Sequence, residues 1–116
     1  MEYASAYRLA EDIRASEEYR TYHGLKKTVL AEDVQAALIR EYRKLQVSLQ
    51  MNAMAGRTPD PEDTQRFSAL SALLFSKQEV RDYLLAEMRL QQALADIFKI
   101  ITDAAGVEMN LPGMEG

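Results

Sequence analysis

Apolar residues recur every three to four positions along most of the chain, and that period belongs to helices rather than strands. Ala6, Leu9, Ala10 and Ile13 form one stripe over residues 3–15, with Arg8, Glu11, Asp12 and Arg14 opposite. Ser16 can cap the next helix by accepting from an orphan N–H of its first turn. That second helix carries Tyr19, Tyr22, Leu25, Val29 and Leu30 to about Ala31. A third begins near Asp33, whose charge suits the positive end of the dipole. Its stripe is Val34, Leu38, Tyr42, Leu45, Leu49 and Ala53, and Gly56 is placed to end it before Thr58-Pro59.

Asp60-Pro61-Glu62-Asp63 opens a fourth helix: a capping aspartate, proline at the first helical position, then two acids. Phe67, Leu70, Leu73 and Leu74 form its apolar side. Ser76-Lys77-Gln78-Glu79 has the spacing of a capping box and starts the last helix. From there the pattern runs roughly 28 residues to Ala104 or Ala105, about 42 Å of helix, with Gly106 as its stop. A domain of this size has a radius of gyration of about 13 Å, so one core cannot readily cover both ends of such a rod.

Within that last helix Val80, Tyr83, Glu87, Leu90, Leu94, Ile97 and Ile101 alternate steps of three and four, the seam of a coiled coil. A second stripe holds Leu84, Met88, Ala95 and Phe98. The expectation is an all-α five-helix bundle whose third and last helices form a long antiparallel pair. The seam residues are then the self-association interface of a dimer. Residues 1–106 make one helical domain, and 107–116, aperiodic and containing Pro112 and Gly113, a flexible C-terminal tail.

Composition narrows the chemistry more than it supplies any. The 116 residues include no cysteine, which removes disulfides, thiolate metal sites and cysteine nucleophiles, and fits a reducing cytoplasm. No window is long and apolar enough to span a membrane, and the start of the chain has no signal-peptide pattern. The five glycines never gather into a phosphate-binding loop, no Gly-x-Ser-x-Gly occurs, and one histidine cannot furnish a di-iron bundle. We therefore expect no enzyme, no cofactor and no metal site. His23 has no local metal partner and reads as a surface or satisfied residue. Glu87, interrupting the seam, reads either as a rim carboxylate paired with Arg89 or Arg81, or as a polar residue that fixes register.

Lys26, Lys27, Arg40, Arg43 and Lys44 form a possible basic face if the second and third helices pack together, diluted by Glu32, Asp33 and Glu41. With a net charge of −4, the chain is a poor general binder of nucleic acid, which needs clustered positive charge. RNA binding through that face stays open as the alternative function.

The segment Ala10-Glu11-Asp12-Ile13-Arg14-Ala15-Ser16-Glu17-Glu18-Tyr19, with Tyr22, Lys26 and Val29, resembles the opening of YlbF/YmcA-type regulators. Leu38-Ile39-Arg40-Glu41-Tyr42 with Gln46 and Leu49-Gln50 is similar to their central helix. Val80 to Glu87 with Leu90, and Asp96-Ile97 to Gly106, is similar to their last. The resemblance covers about residues 3–106. It implies a small, dimer-forming cytoplasmic protein without catalysis of its own. Such a protein acts by contact with protein partners in RNA-processing, competence, sporulation or biofilm regulation. Some relatives are associated with iron–sulfur clusters, to which a chain without cysteine cannot give thiolates.

Overall fold

The computed structural model describes residues 1–108, and these contain five helices and no strand. They are α1 (Ala4–Ala15), α2 (Glu17–Val29), α3 (Asp33–Met54), α4 (Pro61–Phe75) and α5 (Gln78–Ala105). The all-α reading from periodicity therefore holds. The expected tail lies outside the described residues from position 109 onward.

The helix ends follow from local chemistry. Ser16 serves two helices at once, donating to the Ile13 carbonyl at 2.6 Å and accepting from the Tyr19 N–H at 3.2 Å. Asp60 caps α4 by accepting from Glu62 N–H at 2.9 Å, with Pro61 as the first helical residue. Gly56 lies at φ +69°, and the N–H groups of Gly56 and Arg57 reach back to the carbonyls of Ala53 and Asn52. Those two bonds are a Schellman ending, which needs a left-handed residue that glycine adopts without a Cβ penalty. Gly106, at φ +70°, ends α5 and donates to the Thr102 carbonyl. Ser76 departs from expectation: its hydroxyl donates to Leu73 at 2.6 Å and so serves the end of α4. Arg81 closes the same end from the far side of the turn, donating to the Phe75 carbonyl.

The described residues divide into two compact units, 23–84 and 1–22 with 85–108. In the first, Val29, Ile39, Leu70, Leu74 and Val80 are almost wholly buried, with Tyr42 and Tyr83 beside them. The closest packing there is between α3 and α4. Tyr42 stacks on Phe67 at 5.0 Å and 13°, and meets Phe75 edge-on at 5.9 Å. A fork of two bonds, 2.7 and 2.9 Å, joins Arg66 to Glu41 across the outside of the same pair. Part of α5 meets α3 in this unit through Arg43, which donates to the Tyr83 hydroxyl at 3.2 Å.

The core row of α3 differs from the expected stripe. Ala36, Ile39 and Tyr42 are buried, whereas Val34 is 65 % exposed. Two apolar rows on this helix share Tyr42; the longer one draws the eye in the sequence, but the shorter one faces α4. Gln35, buried at the edge of that row, donates to the Val29 carbonyl at 2.8 Å and accepts from Lys77 at 3.2 Å. A buried amide needs such partners, because an unpaired one keeps its full desolvation cost.

The second unit is built differently. Among the described residues of 1–22 and 85–108, Ala86 is the one that reaches full burial, and α1 has no buried side chain at all. Leu9, Ile13, Leu90 and Ile97 are all half-buried, and Leu94 and Ile101 remain 41 % and 51 % exposed. The three–four pattern of α5 continues here without the enclosure it has around Val80 and Tyr83.

Candidate functional site

The terminal unit holds an apolar groove between α1 and α5. Leu9 and Ile13 come from α1, spaced so that both sit on one face, and Leu90, Ala93, Leu94 and Ile97 come from α5. Ser16 closes one end through its bonds at the α1–α2 junction, and Asp12 and Glu18 stand along the rim. The groove has a volume of about 140 Å³ and is open to solvent. A neighbouring hollow of about 220 Å³ shares Glu18 and adds Glu17, Thr21, Ala86 and Arg89. Such a surface can hold apolar side chains from outside while its carboxylates meet positive charge.

The expected self-association seam is split by this arrangement. Val80 and Tyr83 are buried in the core of residues 23–84, at 0 % and 2 % exposure, and so are not available to a second copy. The correction has a simple cause: the heptad spacing is blind to whether a row faces the same chain or another. Glu87, Leu90, Leu94, Ile97 and Ile101 belong to the terminal unit, and Leu90, Leu94 and Ile97 line the groove. Glu87 is half-buried and accepts from the Tyr22 hydroxyl at 3.5 Å. Arg89 lines a hollow with Glu17 and Glu18, and Arg81 donates to the Phe75 carbonyl at the end of α4.

The basic face is also redistributed. Arg43 is half-buried, with its guanidinium 5.9 Å from the centre of the Tyr83 ring, and is turned toward the core. Arg40, Lys44 and Lys27 are exposed, and Lys26 is half-buried. Lys26 and Lys27 share a shallow hollow with His23, Leu30 and Ala31. Glu41, counted as a diluting charge, is held below the usual carboxylate range, chiefly by the hydrogen bond from Arg66 and also by its charge. Arg66 is pushed up by the same fork, and the Lys99 ammonium is raised by its 2.8 Å bond to Asp103.

Reading the sequence missed Asp12 and Glu18 as rim residues, and Leu9 and Ile13 as walls of an open groove. Their stripe was visible, but a stripe reports a face and not how completely that face is covered. Among the described residues, no three His, Asp or Glu side chains gather as a metal ion requires, and no helix is long and apolar enough to cross a membrane.

These features define a class: a small all-α protein with one well-filled unit and one unit whose apolar side chains form an acid-rimmed open groove. The chain belongs to the Com_YlbF family, described as control of competence regulator ComK, YlbF/YmcA, whose model matches residues 3–105. It is similar to a UPF0342 protein of Symbiobacterium thermophilum, 29% identical over 92% of this chain and 96% of the relative. A UPF0342 protein of Halothermothrix orenii is 28% identical over 85% of this chain and 84% of its own length. A solved Bacillus stearothermophilus protein of unknown function (DUF964) shares the fold with a TM-score of 0.70. It is 19% identical, covering 90% of this chain and 91% of that one.

Proposed function

We propose that this chain is a non-enzymatic regulator or adaptor that acts in the cytoplasm by docking a protein partner, within the control of competence or of RNA processing, sporulation or biofilm formation. The observation that carries this reading is the incomplete burial of the terminal unit. Leu94 and Ile101 stand 41 % and 51 % exposed on a helix whose earlier seam residues Val80 and Tyr83 are buried. Exposed apolar patches of this kind mark interaction surfaces. Family membership supports the regulatory part of the reading.

The test is capture of partners by the tagged chain from a lysate, with and without RNase, beside a Leu94→Asp variant. The reading expects a defined partner that survives nuclease treatment and is lost with the variant, since an unpaired charge in a closed apolar contact costs several kcal/mol. Partners lost with nuclease, or retained by the variant, would refute it. Direct RNA binding through Lys26, Lys27, Arg40 and Lys44 would instead weaken steeply between about 50 and 200 mM salt.

Self-association is a second reading, favoured by Ile100 and Ile101, 69 % and 51 % exposed beyond the residues that line the groove. Sedimentation that gives the mass of one chain at micromolar concentration would remove it.

A further inference from the structure

The docking surface has a charge as well as a shape. Residues 1–22 and 85–116 hold ten acidic and five basic side chains, a formal charge of −5. Residues 23–84 hold eight acidic and nine basic ones, +1. The acidic excess of the whole chain is therefore confined to the unit with the open groove. At the groove itself Asp12 and Glu18 stand on the rim, both exposed, and Glu17 lies with Glu18 in the adjoining hollow. Arg89 is the base that shares that hollow, one cation to two carboxylates.

We propose that the groove between α1 and α5 takes a basic amphipathic helix of a partner protein. The inference rests on the adaptor reading of the same face and names the chemistry of its occupant. An apolar row on the incoming helix enters beside Ile13 and Leu94, and lysines or arginines on its flanks meet Asp12 and Glu18. A helix suits the site better than a strand, because both walls are helices and offer no open backbone edge to extend. A second copy is the poorer occupant of the groove, because it brings the same acidic excess and no surplus of positive charge to answer Asp12 and Glu18.

The test uses the full chain and two labelled helical peptides with the same leucine row, one flanked by lysines and the other by glutamates. Fluorescence anisotropy should show binding of the lysine peptide only, weakening as salt rises. The double variant Asp12→Asn/Glu18→Gln should lose about threefold to tenfold in affinity, the range that two exposed ion pairs supply. Leu94→Ala should lose about tenfold, while Leu73→Ala, an exposed leucine of the other unit, should leave binding unchanged. Melting curves check that each variant folds. Equal binding of both peptides, or full affinity in the double variant, would overturn the proposal.

A photo-crosslinking benzoylphenylalanine in place of Leu94 then separates this proposal from the adaptor reading beneath it. An adduct in living cells with a lysine- or arginine-rich helical segment supports both. An adduct with an acidic or uncharged segment, or with a second copy of the chain, overturns the basic helix and leaves the docking face standing. No adduct at all overturns both.

Discussion

Replacing Gln35 with methionine keeps the length of the side chain and removes its donor and acceptor. In the native chain this amide donates to the Val29 carbonyl at 2.8 Å and accepts from the Lys77 ammonium at 3.2 Å. Gln35 is 6 % exposed and Val29 0 %, so solvent cannot readily replace the lost donor. A buried polar group that loses its partner costs about 1–3 kcal/mol, and methionine recovers little of that through packing. At this chain length each kcal/mol moves the midpoint by about 4 °C, so Gln35→Met should melt about 4–12 °C below the parent. Circular dichroism at 222 nm reads this directly. A double-mutant cycle with Lys77→Met isolates the second bond, whose coupling should be about 0.5–1 kcal/mol because the ammonium is on the surface. A Gln35→Met protein that melts within about 1 °C of the parent would refute the view that this amide ties the end of α2 to the turn before α5.

Leu74→Ala, at a site 1 % exposed, should cost about 2–5 kcal/mol in denaturant unfolding, whereas Leu94→Ala, 41 % exposed, should cost less than about 1.5. Equal costs would contradict the contrast between the two units. Because Glu41 is held below its ordinary value by Arg66, its stabilising contribution is complete above the unfolded carboxylate pKa. It is lost as pH falls through the lowered folded value. Carbon-detected NMR titration should show a depressed midpoint for Glu41, and Arg66→Gln should restore an ordinary one. Asp60→Ala removes the acceptor of the Glu62 N–H and should cost about 1 kcal/mol, with Asp60→Asn nearly neutral.

The helices were legible because their ends are chemically marked. Ser16, Asp60-Pro61, Gly56 and Gly106 each act where local backbone chemistry places them. What the pattern could not convey is coverage. Val80 and Leu94 occupy equivalent seam positions, yet one is sealed and the other is 41 % exposed. The difference depends on which helices lie alongside, and that is decided by residues distant in the chain. Gln35 was illegible for the same reason: its polar head makes sense only beside Val29 and Lys77. Arg43 looked like part of a surface charge cluster until Tyr83, forty positions away, drew it inward. Asp12 and Glu18 gained meaning only when α5 came to lie beside them.

α1 is the one helix without a buried side chain for which a neighbouring helix provides a groove wall. Its hold on α5 therefore rests on the partial burial of residues such as Leu9 and Ile13, and its peptide hydrogens are guarded by little more than the helix itself. In exchange with deuterated water α1 should be labelled long before α3 and α4, whose shared face contains Ile39, Leu70 and Leu74. An occupied groove would reverse that order of labelling locally. The arrival of a partner would then be written in the protection of residues 4–15, whether or not any of those amides touches the newcomer.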